Sequence, residues 1–343
     1  MFRVIRRSAY VACVVVLVSA FVLAGTAAAQ STVEISTAQE LGDINEDLDG
    51  DYVLTDDIDA SDVDFEPIGD QNSRFTGRLD GNGHTISGLT IEPSEGQRRQ
   101  DFVGLFGVVG EDGKVEDVGV EDSRVVGYQD VGGIAGVNYG EVSRSYFDGY
   151  VGGHTAVGGL VGLNRGELNG SYATAMVEAT GNDVGGFVGS NLGNVTEAYA
   201  AVGVVSDEPS VEGAFGVGGV NAERVYWDTE VSGVPASDGV VGLTTDEMTG
   251  DSARESMEFD FNETWKTTQG YPALAWQSED AVAEVPDGET GGGGEGSDEG
   301  DETEGTEGDD TEDSSDGGEG MPGFGAVVAV VSLAVGLGLR RKG

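Results

Sequence analysis

Basic residues are scarce in this chain of 343 residues. The sequence holds 17 lysines and arginines against 63 aspartates and glutamates, which gives a formal net charge of −46. A chain this acidic is repelled by the phosphate backbone of nucleic acid, so we expect no nucleic acid as a partner. The acidic, lysine-poor composition resembles that of proteins working in near-saturating salt, where charge repulsion is screened. The alternative is an acidic secreted protein from an ordinary habitat.

Cysteine is almost absent, and the single one, Cys13, lies near the N-terminus. Arg3, Arg6 and Arg7 precede an apolar run, and three alanines at 27–29 offer a small-residue cleavage site. Residues 1–29 are therefore predicted to be a signal peptide, by either the twin-arginine or the general secretory route. A mature chain without this segment has no disulfide, no thiol nucleophile and no cysteine metal site.

Catalytic motifs are also missing. The chain has only two histidines, His84 and His154, and no motif of a hydrolase, zinc protease, P-loop or dinucleotide site. We therefore expect a non-enzymatic protein with no cofactor and no metal. The alternative is a polysaccharide-active β-helix enzyme, a lyase or glycosidase, for which four carboxylates are candidates: Asp80, Asp101, Asp130 and Asp183.

The acidic spacing of Asn45–Asp56 mimics an EF-hand calcium loop. The residues that follow Asp49 have the pattern of a strand instead of a second helix. The segment is therefore interpreted as an ordinary acidic surface.

Glycine is abundant, with 59 residues, and much of it is arranged in a repeat. The copies are VGGIAGVNYGEV at 131–142, VGGLVGLNRGEL at 157–168 and VGGFVGSNLGNV at 184–195. A degenerate copy at 103–115 precedes them and a decayed one at 213–221 follows. A repeat of this length without helical periodicity predicts stacked turns of parallel strands. We therefore predict an all-β fold, a right-handed parallel β-helix or β-solenoid.

Aligned columns of the repeat predict what each position does. One column should form an interior ladder: Ile134, Leu160 and Phe187. A second should form a hydrogen-bonded turn ladder: Asn138, Asn164 and Asn191. The glycines are expected to supply corners of positive φ and close approach between coils. Capping-box spacing at Thr37 and Thr244 predicts two short capping helices.

A tyrosine follows each copy by four residues: Tyr146, Tyr172 and Tyr199. Two alternatives are open for this tyrosine column. If exposed, it forms a ligand-facing surface on which sugar rings stack; if buried, it is ordinary packing.

The repeat core, GG-hydrophobic-hydrophobic-G-x-N-x-G, resembles the GLUG motif of large bacterial and archaeal surface proteins, which include adhesins and some IgA peptidases. ISTAQELGDINEDLDGDYVLTDDIDA resembles the segment that precedes such repeats, and VYWDTEVSG and YPALAWQ resemble the segment that closes them. The resemblance covers about residues 33–277. It implies a surface role and assigns no catalytic residue.

The C-terminal part is of a different kind. Residues 279–320 contain no lysine or arginine and are predicted to be a disordered acidic stalk. Residues 321–343 contain Pro322, Gly323 and Phe324, then a short apolar run and a basic end. These three parts in order resemble the archaeal PGF-CTERM sorting signal, which implies an archaeosortase-type processing enzyme as a partner. The alternative is an ordinary C-terminal transmembrane helix.

The predicted organisation is thus a signal peptide (1–29), an N-terminal cap with first coils (30–98), GLUG-type repeats (99–222), a C-terminal closing region (223–278), the stalk and the sorting signal. Three N-x-S/T sequons are possible glycosylation sites: Asn169, Asn194 and Asn262. The leading hypothesis is a cell-surface adhesion or envelope-interaction protein that contacts the surface layer or surface glycans and is anchored to the membrane through its C-terminus. A passive component of the surface layer is a further alternative.

Overall fold

Neighbouring strands of this chain pair in parallel, one repeat apart. In one ladder Val131 lies beside Val157, which lies beside Val184. The computed structural model describes residues 31–93, 99–206, 213–219, 221–234 and 239–278. The predicted signal peptide, the acidic stalk and the sorting signal with Pro322, Gly323 and Phe324 lie outside the described residues. The described part is a parallel β-solenoid, as predicted.

The N-terminal part supplies the first short strands and one helix. Thr37 caps helix α1, and its side chain accepts a hydrogen bond from the Glu40 amide at 3.2 Å, as the capping-box spacing predicts. Leu41 and Ile44 of this region are fully buried in the solenoid interior. The elements are β1 (Val33–Ile35), α1 (Ala38–Asp43), a 3-10 turn (Ile44–Glu46), β2 (Asp51–Leu54), β3 (Ile58–Asp59), β4 (Arg78–Asp80), β5 (Thr85–Ser87) and β6 (Thr90–Ile91).

The central part repeats a four-strand coil. The first coil contains β7 (Asp101–Val103), β8 (Phe106–Val109), β9 (Lys114–Glu116) and β10 (Gly119–Val126). The second contains β11 (Gln129–Gly132), β12 (Ala135–Asn138), β13 (Glu141–Ser143) and β14 (Tyr146–Gly153). The third contains β15 (Thr155–Gly158), β16 (Val161–Asn164), β17 (Glu167–Asn169) and β18 (Tyr172–Ala179).

The last coils are less regular and lead into a C-terminal segment. They contain β19 (Val184–Gly185), β20 (Val188–Asn191), β21 (Asn194–Ala200), β22 (Gly203–Ser206), β23 (Phe215–Gly218) and β24 (Ala222–Asp228). The chain then forms α2 (Thr229–Ser232), β25 (Val241–Leu243), α3 (Thr245–Met248), α4 (Gly250–Ser256), β26 (Trp265–Lys266) and β27 (Ala273–Leu274). We call residues 241–278 the closing segment.

The stacked strands give the solenoid four faces. Face 1 contains β7, β11, β15 and β19, and face 2 contains β8, β12, β16, β20 and β23. Face 3 contains β9, β13, β17 and the start of β21, and face 4 contains β10, β14, β18 and β22. The N-terminal strands extend faces 3 and 4 without a break.

Valine and isoleucine ladders fill the interior, because β-branched side chains pack well on a pleated surface. The predicted interior ladder is confirmed, since Ile134, Leu160 and Phe187 are all fully buried. The predicted asparagine ladder is also confirmed. The Asn138 Nδ2 donates to the Asn164 Oδ1 at 2.9 Å, and the Asn164 Nδ2 donates to the Asn191 Oδ1 at 2.9 Å. Such ladders fix the register of one coil on the next.

The role predicted for the repeat glycines is half right. Close approach is confirmed: a Cβ on Gly136 would lie 2.6 Å from backbone atoms of Phe102 and Val103, so faces 1 and 2 meet backbone to backbone. Corners of positive φ are wrong for the glycines of the three clear copies, whereas Gly213, Gly218 and Gly219 of the decayed copy do have positive φ. The left-handed conformation falls instead on two other columns: Phe102, Asp130, Ala156 and Asp183, and Asp117, Arg144, Gly170, Glu197 and Arg224.

Helix α3 begins after Thr244, and the reciprocal capping box predicted there is present. Its buried residue, Met248, packs outside the coils against face 4. In the part of the chain that the structure describes, no helix has the length and apolar character needed to cross a bilayer.

Candidate functional site

The tyrosine column lies on the outer side of face 4. Tyr146 and Tyr172 stack with ring centroids 4.7 Å apart, and Tyr172 and Tyr199 with centroids 4.9 Å apart, the rings almost parallel in both pairs. Tyr226 continues the column in the next coil. The spacing follows from the parallel register, which places equivalent residues of successive coils about 4.8 Å apart.

The closing segment covers this column. The Gln277 side-chain amide donates to the Tyr172 hydroxyl at 2.9 Å, and the Tyr199 hydroxyl donates to the Pro272 carbonyl at 2.7 Å. The Trp265 ring packs 5.6 Å from that of Tyr199. These contacts form a second hydrophobic core outside the coils, which we call the outer core.

The ligand-facing alternative for Tyr146, Tyr172 and Tyr199 is therefore wrong in this structure, because their exposed fractions are 2%, 1% and 0%. Burial raises the pKa of Tyr172 and Tyr199 well above the ordinary value of a tyrosine. Both rings thus stay neutral even above the pH at which an ordinary tyrosine ionises, and they serve packing. Sequence alone did not show that a distant, non-repeating segment returns to cover them.

The two histidines have separate local partners. The His84 Nδ1 lies 3.1 Å from an Asp57 carboxylate oxygen. His154 stacks on Tyr128 with centroids 4.9 Å apart, and its Nδ1 lies 3.0 Å from the Thr180 hydroxyl. Within the described ranges, no group of three or more histidine, cysteine or carboxylate side chains is arranged to hold a metal ion.

The four candidate carboxylates fall into two places. Asp80 lies on face 3 and forms an ion pair with Arg78 at 2.8 Å. Asp101, Asp130 and Asp183 lie at the corner that enters face 1, on three different coils. Asp130 is 5% exposed, and this burial raises its pKa, with smaller contributions from Asp101 and Asp183. The structure thus brings three of the four to one corner.

The EF-hand-like segment is used structurally. The Asn45 Oδ1 accepts a hydrogen bond from the Gly69 amide at 2.9 Å, and its Nδ2 donates to the Pro67 carbonyl. Residues Asp51–Leu54 form β2, as the strand pattern predicted. The second half of the loop therefore pairs with the solenoid instead of leading into a helix.

The arginines of face 3 form a compact ion-pair group. Arg144 contacts Asp117 at 2.7 Å and Glu116 at 2.8 Å, and Arg78 also contacts Glu116. Burial alone would raise the pKa of Glu116, but its hydrogen bonds to the two arginines lower it below the ordinary value. The group bridges three successive coils.

The sequon asparagines Asn169, Asn194 and Asn262 are all exposed. Asn169 and Asn194 lie on face 3, in β17 and β21. The hydroxyl of the first sequon, on Ser171, is buried and donates to the Asn169 carbonyl at 3.1 Å. The three side chains are thus placed where modification is sterically possible, and modification itself is still a prediction.

A groove of about 400 Å³ runs along the corner between faces 2 and 3. Its floor is a column of glycines, Gly113, Gly140 and Gly166, in which a Cβ on Gly166 would lie 2.1 Å from the Gly140 carbonyl oxygen. One wall carries Tyr139 and Arg165, and the other carries Lys114, Glu141, Glu167 and Asn194. We call this the corner groove.

Sequence reasoning missed the corner groove. Its glycine floor is the second single glycine of the repeat, for which the sequence predicted only corners of positive φ and close approach between coils. Tyr139 and Arg165 occupy the variable position directly after the ladder asparagine, where Leu192 stands in the next copy. A repeated glycine and asparagine frame, with one position that differs from copy to copy, is the signal that could have found it.

Known proteins match parts of this chain. The sequence is 38% identical to halomucin of Haloquadratum walsbyi over 134 residues, which is 35% of this chain and 1% of halomucin. It is 36% identical over 95 residues to a protein of Evansella cellulosilytica provisionally named a Gly-rich membrane protein, covering 27% of this chain and 10% of the relative. The chain therefore spans only a small share of either relative.

No protein-family model matches the chain. The GLUG and PGF-CTERM resemblances thus stay predictions. Among solved structures, the fold is similar to that of a candidate immunoglobulin A1 protease from Bacteroides ovatus, with a TM-score of 0.52 and 18% identity. The likeness covers 72% of this chain and 93% of that one, and at this identity it shows the fold alone.

Proposed function

We propose that this chain is a non-enzymatic adhesion or envelope-interaction module at the cell surface. The observation that carries the proposal is the arrangement of the solenoid surface. The chain closes its own aromatic column with its closing segment and leaves an open polar groove along the stacked coils. Stacked repeats that present an extended surface are typical of binding scaffolds.

The partial similarities support a surface location. One relative is halomucin and another carries the name of a membrane protein. The predicted signal peptide and the predicted C-terminal sorting signal fit the same location. On this proposal an archaeosortase-type enzyme processes the chain near Pro322–Phe324, and mass spectrometry of the mature C-terminus in the native host tests that step.

The first test is a pull-down with the full-length protein, purified in molar salt, against intact cells and isolated envelope. We expect saturable capture, because an adhesive module has a finite number of partner sites. If the protein captured neither cells, nor envelope protein, nor glycans, the proposal would fail. A passive role in the surface layer would then be tested by the envelope integrity of a deletion strain.

A second candidate, a polysaccharide-active enzyme, is favoured by one specific observation. Asp101, Asp130 and Asp183 share a corner, and Asp130 is buried with a raised pKa, as a general acid requires. Incubation with a broad panel of acidic and neutral polysaccharides tests it. Reducing-sugar release that is lost in Asp130→Asn would establish the enzyme, and no release from any substrate would remove it.

A further inference from the structure

We propose that the corner groove binds a neutral saccharide chain that lies along the solenoid axis. This inference rests on the proposed surface function and names its ligand. The groove follows the stacking direction, so each coil adds about 4.8 Å to its length. An extended polymer fits this geometry better than a compact small molecule.

The groove floor cannot recognise a peptide by strand addition. Its backbone groups are already hydrogen-bonded: the Gly140 carbonyl accepts from the Glu167 amide at 2.8 Å, and the Gly140 amide donates to the Asn138 Oδ1 at 3.0 Å. The Gly166 carbonyl likewise accepts from the Asn194 amide at 2.9 Å. Because strand addition requires free backbone groups, the wall side chains must select the ligand.

The walls offer the mixture of groups that hydroxyl-rich ligands require. Arg165 and Asn194 are donors, Glu167 is an acceptor, and all three are exposed. A sugar hydroxyl both donates and accepts, so one saccharide can satisfy all of them. A ligand that could only donate or only accept hydrogen bonds would leave some of these side chains without partners.

Tyr139 supplies an aromatic surface at the edge of the groove. The Arg74 guanidinium lies 4.4 Å from the centre of its ring and covers one side. Among the described residues, no other ring or guanidinium stacks on Tyr139. Tyr139 is only partly buried, so part of its ring can meet the apolar C–H surface of a sugar ring.

The charge of the groove selects neutral saccharides over acidic ones. Lys114 forms an ion pair with Glu141 at 3.0 Å, so these two charges cancel locally. The remaining charged side chains of the groove are Arg165 and the carboxylates Glu111, Asp112 and Glu167. A uronic-acid or sulfated chain would be repelled by this excess, as by the net charge of the whole chain.

Two sources can supply such a saccharide. Asn194 is both a wall residue and a sequon asparagine, so an N-linked glycan on Asn194 begins at the groove itself. The other source is a free envelope polysaccharide. The chemistry of recognition is the same in both cases.

The first arm of the test measures free saccharides. Neutral mannan and dextran oligosaccharides are titrated calorimetrically into the full-length protein and its Asn194→Gln variant in molar salt, with hyaluronan oligosaccharides and hexalysine as charged probes. We expect a neutral series to bind and Tyr139→Ala or Arg165→Ala to weaken binding about tenfold. Tyr128→Ala is the matched control, because Arg99 and His154 already stack on Tyr128 at another corner.

The second arm examines an attached glycan. Mass spectrometry of the peptide containing Asn194 shows whether it is modified in the native host. A glycan there, with free saccharide binding seen only in Asn194→Gln, identifies the chain's own glycan as the occupant. Binding to the unmodified protein identifies a free saccharide.

Three results would overturn the inference: neutral binding that is unaffected by Tyr139→Ala and Arg165→Ala, binding of only hyaluronan or hexalysine, or no binding together with an unmodified Asn194. The pull-down distinguishes failure of the saccharide-binding proposal from failure of the proposed surface function. If Asn194 is unmodified and Tyr139→Ala captures cells as well as wild type does, the groove is wrong and the surface module stands. If wild type captures no envelope component, the module fails whatever the groove binds.

Discussion

The two hydrophobic cores of this protein are built in different ways. The inner core stacks like on like, as in the ladder Val103, Val131, Val157 and Val184, with contacts between residues one repeat apart. The outer core joins the tyrosine column to the closing segment, with hydrogen bonds across 73 and 132 residues. The repeat thus fills its own interior and depends on non-repeating sequence to cover an apolar outer face.

Withdrawal of salt should have the largest effect on both cores. The net charge of −46 is screened in molar salt, and the repulsion returns when salt is removed. We expect the β-sheet circular dichroism signal to be lost in dilute buffer and restored by salt. A full signal in dilute buffer would contradict the halophilic interpretation.

Gly136→Val should break the inner core. A side chain there would collide with backbone atoms of face 1 at 2.6 Å, and backbone cannot move aside as a flexible side chain can. We expect destabilisation by about 3 kcal/mol or failure to fold, measured by denaturant unfolding. Gly42→Ala is the control: no atom lies within 4 Å of the added Cβ, so it should be neutral or mildly stabilising.

Replacing either of two buried tryptophans by alanine should destabilise one core at a time. Trp227 lies in the inner core and Trp265 in the outer core, and they are 0% and 1% exposed. Each change to alanine should cost about 3–5 kcal/mol of local stability. Limited proteolysis should cut the closing segment in Trp265→Ala while the coils stay intact, whereas Trp227→Ala should expose the last coils. Identical digestion patterns would show that the two cores unfold as one.

Alkaline pH should open the outer core first. Because burial raises the pKa of Tyr172 and Tyr199, the folded state keeps protons that the unfolded state loses above about pH 10. This stabilisation is complete below that pH and declines as pH rises above it. The phenolate absorbance of the buried column should therefore appear together with loss of near-ultraviolet dichroism. Ionisation of every tyrosine near pH 10 without any structural change would show that the column is exposed.

Asn164→Ala is the mildest of these changes. It removes ladder hydrogen bonds to Asn138 and Asn191 and leaves buried polar groups without partners. We expect a loss of about 2 kcal/mol, measured by thermal unfolding. Asn262→Ala, at an exposed site, should change stability by no more than about 0.5 kcal/mol.

The distinction between the repeat and the closing segment also separates the features that could be predicted from the sequence from those that could not. The interior column of Ile134 and the ladder of Asn138 were predictable because parallel stacking places equivalent residues together. The cap at Thr244 was predictable because capping chemistry is local. These features depend on spacing alone, and the repeat fixes spacing.

The other features of the fold and of the candidate site depended on contacts that no local sequence pattern indicates. The burial of Tyr172 is decided by Gln277, 105 residues away. The left-handed corners fall on Asp130 and Ala156, although glycine is the residue usually expected there. The corner groove arises where a glycine floor meets Tyr139 and Arg165, a juxtaposition of separate coils.

The return path of the closing segment also bears on how the chain folds. In an array of similar coils, a coil can pair with the wrong neighbour, shifted by one whole repeat. This is possible because each coil presents nearly the same edge to the next. The closing segment contacts individual coils through unlike groups: Trp276 binds the Arg144 carbonyl, Gln277 binds Tyr172 and Pro272 binds Tyr199. A pairing shifted by one repeat would misplace all of these partners together. Docking of the closing segment therefore favours the native pairing of the coils over pairings shifted by one repeat.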